Sequence, residues 1–168
     1  MSENPFWDYS LAYYSRPEVA QCCLEYQDEY GANVNLLLFC CWLGSLGVLI
    51  KSEQLEQAKL TIKPLDLHVV QPLRTVRQFI KALTPPVDDL YSNLKQVELM
   101  AEQVVQNDLF NWSMRNGLIR KEKFIGEGEF ICAAVVSAAQ IKNLNTYLSL
   151  LGCKTVSENS PLCNGPLG

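Results

Sequence analysis

Histidine is nearly missing from this chain, whose 168 residues include one, His68. That excludes a zinc site built on several histidines, and the paired Glu-x-x-His motifs by which helical bundles hold two irons. Cysteine is present but in no metal-binding order: the seven thiols stand at 22, 23, 40, 41, 132, 153 and 163, with no CxxC pair. Adjacent cysteines on a helix project about 100° apart, so Cys22/Cys23 and Cys40/Cys41 make poor metal forks. An odd count also argues against a disulfide framework. The expected state is a set of buried, reduced thiols acting as small hydrophobes.

Excess positive charge is lacking too. Fourteen Lys and Arg against eighteen Asp and Glu leave a net charge of -4. A nucleic-acid binder would need clustered cations to neutralise phosphates, so no nucleic-acid partner is expected. No nucleophile-elbow pattern is present. Gly126-Glu127-Gly128-Glu129 is neither a P-loop nor a dinucleotide fingerprint, because its acids would repel phosphate. Met1 to Asp8 carries acids and two aromatics instead of a basic region leading into an apolar stretch, which predicts no secretory leader and a cytoplasmic protein. No long hydrophobic run is available to cross a membrane. The charge-free run from Leu36 to Ile50 falls short of the ~20 apolar residues a spanning helix needs and contains Gly44, Ser45 and Gly47. No catalytic residue, metal or cofactor is expected.

That same segment is the strongest feature the chain does have. A helix that is apolar all round must be buried all round, so 34–50 is the predicted axle of the fold. Pro and Gly divide the rest into helical lengths. Asn4 and Pro5 open a helix to Ser15. Pro17 opens another to Tyr30, which Gly31 ends. Ser52 starts a fourth, with a break expected near Pro64 and a new helix from about Asp66 or Pro72 to Leu83. After Thr84-Pro85-Pro86, Asp88 or Asp89 caps a long helix to about Asn116, whose apolar face is predicted as Leu90, Leu94, Val97, Ala101 and Val104. A loop at Gly126-Glu127-Gly128 precedes a last helix, about 129–151, rich in small residues. The reading is all-α: a compact single-domain bundle of about six helices over 1–152, with a flexible tail at 153–168.

The order Phe6-Trp7-Asp8-Tyr9-Ser10-Leu11, Tyr14, Pro17, Cys23-Leu24, Gln27-Asp28, Gly31 and Asn33 through Trp42 resembles a family of small uncharacterised proteobacterial proteins, DUF2390. Pro72-Leu73-Arg74 with Arg77 fits the middle of that family. The resemblance implies a compact cytoplasmic bacterial protein of one domain. It carries no established activity and no functional residues.

Candidate sites therefore rest on the residues alone. Arg74, Arg77 and Lys81 follow three- and four-residue steps and share one helical face, suited to an acidic partner or a phosphorylated ligand. The plainer alternative is internal pairing with Asp8, Glu25 or Asp28. Glu25/Glu29 and Glu98/Glu102 have the spacing with which some helical enzymes hold Mg²⁺, although such pairs are usually solvated faces. Phe6, Trp7, Tyr9, Tyr13 and Tyr14 crowd one helix; most are expected in the core, with Trp7 left to present a binding surface. Asp8, set among these aromatics, is expected to need a guanidinium partner, Arg74 or Arg77. His68 is the one ordinary base near neutral pH. The leading expectation is a non-enzymatic interaction or regulatory protein with a protein partner, for which a homo-oligomer is one form. The alternative is a binder of, or enzyme acting on, a lipid-like, isoprenoid-like or phosphorylated ligand, with a pocket between the N-terminal helix and the Arg74/Arg77 helix, near Asp8, His68 and Arg74.

Overall fold

The computed structural model describes residues 4–120 and 133–163. It is all-α, with no strand among the described residues. The helices are α1 (Pro5–Tyr14), α2 (Pro17–Tyr30), α3 (Val34–Ser45), α4 (Ser52–Leu65), α5 (Gln71–Lys81), α6 (Asp88–Arg115) and α7 (Ala133–Leu150). A π turn, Asp66–Val70, joins α4 to α5 without interruption, so the chain builds six helical rods from these segments.

The local chemistry sets the boundaries. Asn4 caps α1 by accepting from the backbone N–H groups of Phe6 and Trp7, at 3.0 and 3.2 Å. Gly31 ends α2 at φ 66, a left-handed geometry that costs glycine nothing. The break expected at Pro64 does not occur. Both Pro64 and Pro72 lie on the outside of the rod, where missing donors stay close to water. The one-residue slip of the π turn shifts the carbonyls that Pro72 would otherwise meet.

Every residue of α3 from Val34 to Gly44 is buried, and Phe6 stacks on Trp42 with ring centroids 5.0 Å apart. The axle is shorter than expected. It stops at Ser45, and residues 46–50 form a connecting loop fastened by Asn143, which donates to Val48 O at 2.8 Å and accepts from Ile50 N at 3.0 Å. Helix α7 lies against α3 so closely that a β-carbon on Gly44 would come 2.5 Å from Gln140 Cα. Gln140 and Asn143 also donate to the Cys41 and Cys40 carbonyls, at 3.2 and 3.3 Å. The loop at Gly126-Glu127-Gly128, the helix start at 129 and Cys132 lie outside the described residues.

Two readings of packing need correction. The face predicted for α6 is not the buried one: Leu90, Val97 and Val104 are exposed, whereas Glu98, Val105, Gln106, Leu109 and Trp112 are buried. The C-terminal half of α6 enters the core, but its N-terminal half packs on α5 and turns a polar stripe inward. The segment read as a tail is also packed as far as Cys163. Val156, Leu162 and Cys163 belong to the core cluster. Tyr13 Oη donates to Pro161 O at 3.1 Å, and Asn145 brackets the backbone of Val156. One isolated anchor and one adjacent pair, divided by five mostly polar residues, leave no periodic signal in the sequence.

Six thiols, Cys22, Cys23, Cys40, Cys41, Cys153 and Cys163, are free. Burial pushes Cys23 up to about 12 and Cys163 up to about 11, so the reactive thiolate is suppressed. Among the described residues no helix is long and apolar enough to cross a membrane. Nor does any group of three or more His, Cys, Asp or Glu side chains there suit a metal ion.

Candidate functional site

Helices α5 and α6 form an antiparallel hairpin, and no residue of α5 is fully buried. The inner side of this hairpin is polar, and it meets α2 through Arg74 and Gln27 and the start of α1 through Asn107 and Asn4. A cleft of about 510 Å³ remains between them. One wall is apolar, from Trp7, Leu11 and Tyr14 of α1, Leu24 of α2, and Val34 and Leu38 of α3. The facing wall is charged, from Arg74, Arg77 and Lys81 of α5 and Lys95, Glu98 and Glu102 of α6.

The charged wall is held by one network. Arg74 donates to Glu98 Oε1 at 3.2 Å, to Glu102 Oε1 at 2.9 Å and to Gln27 Oε1 at 2.6 Å. Arg77 forks onto Glu98, with Nε on Oε2 and Nη2 on Oε1 at 3.2 Å. Burial pushes the Glu98 carboxyl up, but the two guanidiniums outweigh it and hold the group below the usual carboxylate range. Glu102 goes the other way. Burial raises it, Arg74 opposes that only in part, and the Glu98 charge adds to the rise. Two carboxylates one turn apart are thus held at different acidities.

The floor is polar and incompletely satisfied. Gln106 Nε2 donates to Asn35 Oδ1 at 2.9 Å. Its other amide atom, Oε1, and Ser10 Oγ are buried without a hydrogen-bond partner among the described residues. Both side chains line the cleft and are 3% exposed. A third such atom, Gln140 Oε1, belongs to the α3–α7 crossing and not to the cleft.

The candidates from sequence divide cleanly. Trp7, Arg74, Arg77 and Lys81 come together in the cleft. Asp8 and His68 are exposed and line no part of it. The expected Asp8–guanidinium pair is absent, because Glu98 and Glu102 of α6 occupy both arginines. The Glu98/Glu102 spacing, weighed as a metal pair, serves these arginines instead. Asp8→Asn is accordingly expected to change stability by about 0.5 kcal/mol or less, as for an ordinary surface position. Urea unfolding checks this; a loss above 2 kcal/mol would mean that Asp8 has a structural partner.

Ser10, Lys95 and Gln106 were missed. A signal existed in Glu98, Glu102 and Gln106, which continue in four-residue steps and form a polar stripe on a helix whose other end is core. Ser10 has no comparable mark in the sequence.

All residues lining the cleft fall between positions 7 and 106. No curated protein and no solved structure matches the chain. The family model described as a protein of unknown function, DUF2390, matches residues 5–109. That is more than half of the chain and spans the whole cleft, so this protein belongs to the DUF2390 family.

Proposed function

We propose that this protein binds a small amphipathic molecule in the cleft between α1/α2 and the α5–α6 hairpin. The observation that carries this reading is the pair of buried, unpartnered atoms, Ser10 Oγ and Gln106 Oε1, on residues that line a cavity of about 510 Å³. Leaving such a group buried and unbonded costs about 1–3 kcal/mol, a cost a bound donor would remove. The cavity volume and the mix of apolar wall with few polar groups are those of small-molecule sites.

A thermal-shift screen against carboxylates, phosphates, alcohols and amines with apolar bodies tests the proposal. A true ligand at a hundred times its Kd adds about 2.7 kcal/mol, which at this chain length raises Tm by roughly 5–10 °C. Leu24→Trp, placed on the exposed rim of the apolar wall, is expected to keep the fold and abolish the shift. If no class shifts Tm and native mass spectrometry finds no co-purifying small molecule, the reading fails.

A second reading, docking of a protein partner, is supported by apolar side chains left in water on the hairpin. Phe79 and Met100 are 66% and 65% exposed, and Val76, Val97 and Val104 are exposed as well. Phe79→Ser with Met100→Ser is expected to leave small-molecule binding intact and to lower self-association or partner capture, measured by sedimentation and pull-down.

A further inference from the structure

The two ends of the cleft differ in chemistry, and the difference specifies a ligand class beyond the general reading above, on which this inference rests. Lys95 and Gln106 both line the cleft on α6. Their separation in the helix corresponds to about 16 Å of axial rise. Arg77 reaches back to Glu98 and Arg74 to Glu102, so the helices run antiparallel and Lys81, one turn further along α5, lies toward the Lys95 end of the hairpin. Once Glu98 and Glu102 have neutralised Arg74 and Arg77, Lys81 and Lys95 are the cations left in the cleft, against the single carboxylate of Asp28 on its rim. Neither lysine forms a salt bridge among the described residues; Lys95 stands 5.8 Å from the centre of the Tyr91 ring. At the other end, Gln106 Oε1 can only accept a hydrogen bond, and the Ser10 hydroxyl can accept one or donate one.

We infer that the ligand is an elongated amphipathic anion with a hydrogen-bond donor at its far end. Its acidic head meets Lys81 and Lys95, its apolar body lies along Trp7, Leu11, Leu24 and Leu38, and its terminal hydroxyl or amide donates to Gln106 Oε1 or Ser10 Oγ. A carboxylate or a phosphate would serve as the head. The required length is that of an extended medium-length hydrocarbon chain.

Titration calorimetry with five probes, each kept below its micelle concentration, tests this: 12-hydroxydodecanoate, dodecanoate, dodecyl phosphate, dodecanol and dodecylamine. The hydroxy acid is expected to bind about tenfold more tightly than dodecanoate, one net hydrogen bond's worth. The acids should exceed the alcohol by at least tenfold, the amine should be weakest, and the ranking of carboxylate against phosphate identifies the head group. Ser10→Ala removes a buried hydroxyl that has no partner in the fold. It is expected to raise the Tm of the ligand-free protein by a few degrees while weakening the preference for the hydroxy acid. Gln106→Leu should abolish that preference, and the Lys81→Glu/Lys95→Glu double variant should weaken all three acidic probes about tenfold or more and reverse their salt dependence. Equal binding of amine and acids overturns the inference, as does a hydroxyl preference that survives in both floor variants. If no probe binds but the broader screen yields a ligand blocked by Leu24→Trp, this inference fails and the cleft reading stands. If that screen also yields nothing, both fail.

Discussion

Gly44→Ala is expected to destabilise the protein by about 3 kcal/mol, although alanine is the better helix former. The gain from propensity is about 1 kcal/mol. Against it stands the crossing of α3 and α7, where the added carbon would lie 2.5 Å from Gln140 Cα and 2.6 Å from Gln140 N. These are backbone atoms of a helix and cannot swing away as a side-chain end could. The helices must separate, and overpacking of this kind costs roughly 1–3 kcal/mol, occasionally more. Separation also stretches the bonds from Gln140 and Asn143 to the Cys41 and Cys40 carbonyls, already 3.2 and 3.3 Å long. For a chain of this length the Tm should fall by roughly 6–12 °C. Gly31→Ala is the control for a different mechanism. No atom lies within 4 Å of its added carbon, and only the positive φ opposes it, so its expected cost is about 1–2 kcal/mol. Equal, small losses at both positions would mean that α3 and α7 do not approach as closely as described.

This crossing illustrates which features the sequence made legible. The run from Val34 to Leu43 has no polar face and so could only be a buried helix. Asn4-Pro5, Pro17 and Gly31 are caps whose chemistry is local, and they set the first two helices correctly. Packing between distant segments was less readable. Leu90, Val97 and Val104 repeat at helical spacing, yet the buried stripe of α6 contains Glu98 and Gln106. An apolar pattern identifies a core-facing side only if the helix docks by that side, and α6 docks by the side that carries Glu98 and Gln106. The basic stripe Arg74–Arg77–Lys81 and the acidic pair Glu98–Glu102 were each visible, but as separate surfaces. Nothing in one sequence says that two helices will be placed with those stripes opposed. His68 and Asp8 stand out by chemical type, and type alone does not bring a side chain to a cavity. Ser10 is the extreme case: what distinguishes it is a bond it does not make, which only the packed structure reveals.

Glu98 and Glu102 are expected to respond oppositely to the same substitution, despite standing one turn apart and sharing Arg74. The Glu98 side chain is 8% exposed and accepts from Arg74 and Arg77, whose side chains are 20% and 21% exposed. Glu98→Gln leaves those guanidiniums facing an amide that offers one acceptor and presents a repelling donor. Removing one member of a buried pair costs 3–5 kcal/mol, and the partial exposure of the arginines places this site near about 3 kcal/mol. Glu102 pays more for ionisation in the fold than in the unfolded chain, because burial and the Glu98 charge outweigh Arg74. Glu102→Gln removes that penalty along with one hydrogen bond, so its expected effect at neutral pH is near zero or mildly stabilising. The pH dependences follow by linkage. The Glu98 pKa is lowered on folding, so its contribution is present above the ordinary glutamate range and is lost as pH falls through the lower, folded value. The Glu102 value is raised on folding, so its contribution is greatest below the ordinary glutamate range and is lost as pH rises through the folded value. Stability of the unmodified protein should therefore increase as pH falls from neutral toward the ordinary glutamate range, then decrease on further acidification. Glu102→Gln should flatten the first limb and Glu98→Gln the second, as measured by urea unfolding across the pH series. Glu98→Gln also removes the like charge that raises Glu102, a relief that each single variant gains but the double gains only once, so the two substitutions should combine non-additively, with the double variant more unstable than the sum. Matching losses from the two single variants, or strict additivity, would show that the arginines do not discriminate between the carboxylates.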